Sequence, residues 1–142
     1  MTTGRYNVAV GLMAMVGFMM YGFLLIYLRD FAPGKEAWIA SYSEGTHFEA
    51  RLAHVHGNLF GLLNIVLGLV LVRLRTATDL ARRIAAGLGL SGLLMPVGIL
   101  AEVYLGLPPI FVLIGAIAMT ASVLLTGILA FRHWEHSPVE TR

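Results

Sequence analysis

Apolar residues run in four blocks, Val8 to Leu28, Leu52 to Val72, Ile84 to Leu105 and Ile110 to Phe131, separated by short polar stretches. Each block holds about 20 residues, the length of helix that crosses a hydrocarbon core of roughly 30 Å. The pattern predicts an all-α membrane protein with four transmembrane helices, at about residues 8–28, 48–74, 80–105 and 109–133, in one antiparallel bundle and a single domain over 1–142. The first block is too long for a secretory signal, and no small-residue cleavage site precedes Leu28-Arg29-Asp30, so it reads as a retained helix. A bundle this small has little interior of its own, which points to a homo-oligomer.

The polar positions refine this outline. Pro33-Gly34 followed by Lys35 to Tyr42 predicts a short interfacial helix, with Trp38 and Tyr42 in the headgroup zone and Tyr27 and Trp134 in the same aromatic belts. Thr46 with Glu49 three residues on matches a capping box, so the second helix is expected to start near His47. Pro96 sits inside the third block and should kink it. Glycines recur at 57, 61 and 68 and at 87, 89, 92 and 98, where small residues let another backbone or a flat ligand come close.

Composition agrees with a membrane protein: 58% of residues are hydrophobic and 13% charged, with a mean hydropathy of +0.79. The absence of cysteine removes disulfides, thiolate nucleophiles and cysteine-held metals. A net charge of +2 is too small to suggest nucleic-acid binding. The basic residues instead mark topology. Arg73, Arg75, Arg82 and Arg83 crowd the connection between the second and third helices, which places that loop in the cytoplasm together with both termini and Arg5, Arg132 and Arg142. The expected address is a bacterial inner membrane. Arg29 to Ala50 and the turn Gly106-Leu-Pro-Pro109 then lie outside.

Candidate chemistry concentrates in Glu49 to Asn64, where a Glu, an Arg, two His and two Asn open the second helix. Ionisable groups at membrane depth are functional candidates by default. At about 100° per residue, His54, Asn58, Gly61 and Ile65 share a face, with Arg51 and His47 stacked on its outer end. His56 points about 200° away from His54, so His54-Val-His56 is a poor bidentate metal site. One helical His beside Gly57 and Gly61 suits axial ligation of a haem, with the glycines leaving room for the porphyrin. Arg51 either snorkels to phosphate headgroups or pairs with a haem propionate. Glu102, with Tyr104 beside it, falls at the depth of Arg51 and His54. It is expected to form an ion pair with one of them, or else to act as a general acid or base. Helix-one residues such as Met19 and Phe23 read as core and lipid contacts, and His133 and His136 as a solvated tail.

This arrangement resembles the styrene oxide isomerase family of small four-helix membrane proteins. The resemblance rests on the glycine-bearing first helix, on Pro33-Gly34 and Glu44-Gly45 in the outer loop, on Glu49-Ala-Arg-Leu-Ala-His54 running on to Gly61, and on the glycine-rich third helix. It implies a homotrimer holding haem b between protomers, His54 as the axial ligand, and ferric iron acting as a Lewis acid on the oxygen of a small apolar epoxide, which becomes a carbonyl compound. Phe60 stands where the family has Asn, and Ser91 and Ile99 or Leu100 where it has Asp and Tyr. Asn58, Asn64, Glu102 and Tyr104 are the available substitutes, with Glu102, Tyr104 and Asn64 as catalytic candidates. Two alternatives stay open. One is a non-catalytic haem or electron-transfer protein. The other is a glutathione-dependent transferase, because Arg51-Leu-Ala-His-Val-His-Gly-Asn58 also resembles the Arg-Ala-His-x-Asn pattern of the membrane-associated eicosanoid and glutathione enzymes.

Overall fold

The computed structural model describes residues 3–74 and 76–133; Arg75, Trp134, His136 and Arg142, named above, lie outside the described residues. Six helical segments follow one another: α1 (Arg5–Asp30), α2 (Lys35–Ala40), α3 (Thr46–Arg73), α4 (Asp79–Gly92), α5 (Leu94–Leu105) and α6 (Ile110–His133). Among the described residues four spans, with α4 and α5 counted as one, are long and apolar enough to cross a membrane. The chain is an all-α integral membrane protein.

Local chemistry accounts for the breaks. Pro96 offers no N–H to the carbonyl of Gly92 and its ring crowds that carbonyl, so the third span breaks at Leu93, whose N–H turns to Leu90 O at 3.1 Å. α5 ends at Gly106 in the left-handed conformation, φ 64°, with its N–H on Glu102 O at 3.0 Å. The start of α3 departs from the capping-box expectation. Thr46 is already helical and no side chain caps the end; the N-cap is Gly45 at φ 80° and ψ −157°, a conformation that only glycine adopts easily, so the backbone enters the helix without the hydroxyl. The short helix expected after Pro33-Gly34 is α2, and Trp38 turns inward to stack on His47, ring centres 4.6 Å apart.

α1 and α3 lie antiparallel along a seam of small residues. A Cβ on Gly11 would lie 2.6 Å from Gly61 O, one on Gly61 2.7 Å from Met15 Cγ, and one on Gly68 2.5 Å from Gly4 O. A Cβ on Gly57 would fall on the Phe18 ring. The two backbones therefore approach as closely as glycine allows, which is how membrane helices gain dispersion contacts where no hydrophobic drive separates protein from lipid. Other α3 residues serve other neighbours: Phe60 and Leu67 are buried with Met119 of α6, and Met95 of α5 packs against them.

A polar clamp ties the bundle together near the end where α1 begins. Asn7 Nδ2 donates to Asn64 Oδ1 and to Ala86 O, both at 2.9 Å; Asn64 Nδ2 donates to Phe60 O at 3.0 Å and Gly89 O at 2.9 Å. Ser122 Oγ donates to Ala85 O at 2.7 Å and brings in α6. Asn64 is 0% exposed. Asn64→Leu removes the bonds that Asn64 makes to Asn7, Phe60 and Gly89 and leaves Asn7 Nδ2 with Ala86 O alone, so a loss of about 1–2 kcal/mol is expected, read as a lower melting temperature in detergent.

Candidate functional site

His54 leaves α3 on the side that meets α1. A Cβ on Gly22 would lie only 2.6 Å from His54 Cε1, so glycine at 22 is what lets the imidazole lie against the neighbouring backbone. There Nδ1 sits 2.8 Å from Phe18 O. A carbonyl only accepts, so Nδ1 carries the proton and Nε2 keeps its lone pair in the neutral ring. Metal-ligating histidines are commonly held in this way, the distal ring nitrogen free and the other fixed on a carbonyl or carboxylate. Asn58 Nδ2 supports the same turn from His54 O at 2.9 Å.

The ring opens on a groove of about 520 Å³ between α1 and α3 at the end bearing the 31–45 connection. Met19, Phe23, Leu25 and Ile26 make its apolar wall, and Arg29, Tyr42, His47 and Arg51 join His54 as its polar side. His47 is 3% exposed and sits between the rings of Trp38 and Tyr42, with Nδ1 donating to Trp38 O at 2.9 Å. The Arg51 guanidinium lies 3.9 Å over the Tyr42 ring, and its Nη1 reaches Tyr42 O at 3.4 Å. Arg29 holds Asp30 through two hydrogen bonds, at 2.9 and 2.7 Å. The groove thus joins an apolar body to a cationic rim one to two turns above the imidazole.

Several residues stand elsewhere than the sequence suggests. Gly57 and Gly61 face Phe18 and Met15 of α1, so the room expected beside them is filled and the glycine next to the imidazole is Gly22. Asn64 is fully buried in the clamp, with both amide hydrogens spent on carbonyls. Glu102 pairs with neither Arg51 nor His54: among the described residues the ion pairs are Arg29–Asp30 and Arg82–Asp79. Equal depth did not bring them together, because Phe60, packed toward α5, lies about 120° round α3 from His54. Tyr104 shares a 2.9 Å hydroxyl hydrogen bond with Tyr21. Glu102, Tyr104 and Asn64 are not among the residues lining the His54 groove. His56 turns away from His54, as its angle requires; its Nδ1 donates to Leu52 O at 2.8 Å and its ring meets Phe60 edge-on.

Sequence reasoning missed Gly22 and the Phe18 carbonyl. A signal for Gly22 existed: Gly4, Gly11 and Gly22 return to one face of α1 within about 20°.

Among the described residues no three His, Asp or Glu side chains gather to hold a metal ion by themselves. The donor set suits a metal that brings its own equatorial ligands, as a porphyrin does: one lone-pair imidazole, an apolar wall for a macrocycle and, in Arg51, a cation for a carboxylate. Comparison with family models, with characterised proteins and with solved structures finds no match for the chain.

Proposed function

We propose that the protein is a membrane haem b enzyme that isomerises a small apolar epoxide to a carbonyl compound. The observation that carries the haem reading is His54, with Nδ1–H spent on the Phe18 carbonyl and Nε2 free beside a groove with a cationic rim. His54 would hold the iron, Arg51 would meet a propionate, and Gly22 fixes the imidazole's position. When bound, ferric haem supplies a Lewis acid able to polarise an epoxide oxygen. The reaction itself is taken from the resemblance of Glu49 to Gly61 to the isomerase family.

The chain's own residues do the rest. Met19, Phe23, Leu25 and Ile26 offer an apolar wall that binds a hydrocarbon body and keeps water away. The Phe18 carbonyl holds the His54 proton on Nδ1, which leaves Nε2 as the nitrogen with a lone pair to offer. The groove is open along one side, and a second protomer in a trimer would close it. Positive charge on the α3–α4 connection supports cytoplasmic termini in a bacterial inner membrane.

The absorption spectrum of detergent-purified protein tests this reading. A ferric, five-coordinate high-spin Soret band that shifts on adding a small aryl or alkyl epoxide, with the carbonyl isomer accumulating, is expected. A six-coordinate spectrum that ignores the epoxide would assign a non-catalytic haem or electron-transfer protein. Haem-free protein that binds glutathione, and loses it in Arg51→Ala, would assign the transferase.

A further inference from the structure

At the opposite end of the bundle from His54, α1 begins beside α4 over a cavity of about 410 Å³. Gly4, Asn7, Arg83, Ala86 and Leu90 form much of its wall. Asn7 is 1% exposed, and both hydrogen bonds of its Nδ2 are accounted for, to Asn64 and Ala86. Its Oδ1, by contrast, has no partner among the described residues. A buried amide oxygen asks for a hydrogen-bond donor.

Two further features ask for an anion. α1 is 26 residues long and starts at Gly4 with no side chain among the described residues capping it, so its first turn presents partial positive charge. Arg83 is exposed and takes no part in the ion pairs found among the described residues. Arginine with a helix N-terminus is a recurrent phosphate-binding combination. The cavity lies where two membrane-spanning helices end, which is the level of lipid headgroups, and Ala86 and Leu90 lead from it along α4 toward the hydrocarbon.

We propose that this cavity binds the headgroup of a phospholipid that carries a hydrogen-bond donor next to its phosphate. The phosphate meets Arg83 and the first turn of α1, and the donor, a glycerol hydroxyl or a primary ammonium, reaches toward the Asn7 amide. Phosphatidylglycerol and phosphatidylethanolamine meet this description; phosphatidylcholine, whose nitrogen bears no hydrogen, does not. The site is independent of His54 and of whatever the groove binds.

The test is thermal unfolding of the full chain in detergent with short-chain phosphatidylglycerol, phosphatidylethanolamine, phosphatidylcholine or glycerol 3-phosphate added. The first two are expected to raise the melting temperature by about 5 °C, and phosphatidylcholine to leave it unchanged. Arg83→Gln, at an exposed position, and Leu90→Trp, which fills the cavity, should each remove the phosphatidylglycerol shift. Equal shifts with phosphatidylcholine, or full shifts in both variants, would overturn the site. Glycerol 3-phosphate matching phosphatidylglycerol would overturn the lipid as its occupant.

Discussion

His54→Ala protein is expected to leave the membrane folded but with its Soret band reduced to under about a tenth of the wild-type intensity, since loss of even a supporting partner costs about 10–100-fold in metal affinity. The helix should survive. Alanine is a better helix former than histidine, and what is lost is one hydrogen bond, to the Phe18 carbonyl, worth about 1 kcal/mol. Adding imidazole to the variant should restore a Soret band, because the groove remains and the missing ligand is supplied from solution. Gly22→Ala gives the finer result. A Cβ there would lie 2.6 Å from His54 Cε1, so the ring must turn and the band should shift or weaken without vanishing. An unchanged spectrum in His54→Ala would remove this histidine from the site altogether.

Gly115→Ala is expected to be the most damaging of the single-methyl additions. A Cβ at 115 would run into the Met95 backbone nitrogen and lie 2.8 Å from Met95 Cα. Side chains can step aside; backbone at a helix crossing cannot without separating α5 from α6. Overpacking of this kind costs about 3 kcal/mol, seen as a melting temperature lower by roughly 10 °C for a chain of this size. Gly87→Ala is the matched control. No atom lies within 4 Å of a Cβ there, so the higher helix propensity of alanine should leave stability unchanged or raise it by up to about 1 kcal/mol. Equal melting temperatures for the two variants would contradict the close α5–α6 crossing.

The four spans were legible because a membrane helix needs a long apolar run and little else, and the break near Pro96 because proline lacks one donor. The face shared by His47, Arg51 and His54 was legible from angle alone, and those residues do line one groove. Periodicity fixes a residue's direction on its own helix but not which neighbour stands there. So Gly57 and Gly61 looked like space for a flat ligand when they are space for Phe18 and Met15. Glu102 shows the complementary gap: topology supplied its depth, and depth without azimuth suggested a partner that it does not have among the described residues. Asn64 stands out in the sequence as polar at membrane depth, but its partner Asn7 lies 57 residues away, and nothing local in the chain announces that pair. Thr46 carried the letters of a cap whose place Gly45 had already taken.

The glycine seam makes α1 a lever. Gly4 touches Gly68 at one end and Gly22 touches His54 near the other, about 27 Å away along the helix. Tilting α1 by roughly 5° about the Gly4 end would carry Gly22 about 2 Å across the imidazole. The position of His54 therefore depends on glycines at the far end of the helix, and a variant at Gly68 should reveal itself in the environment of His54.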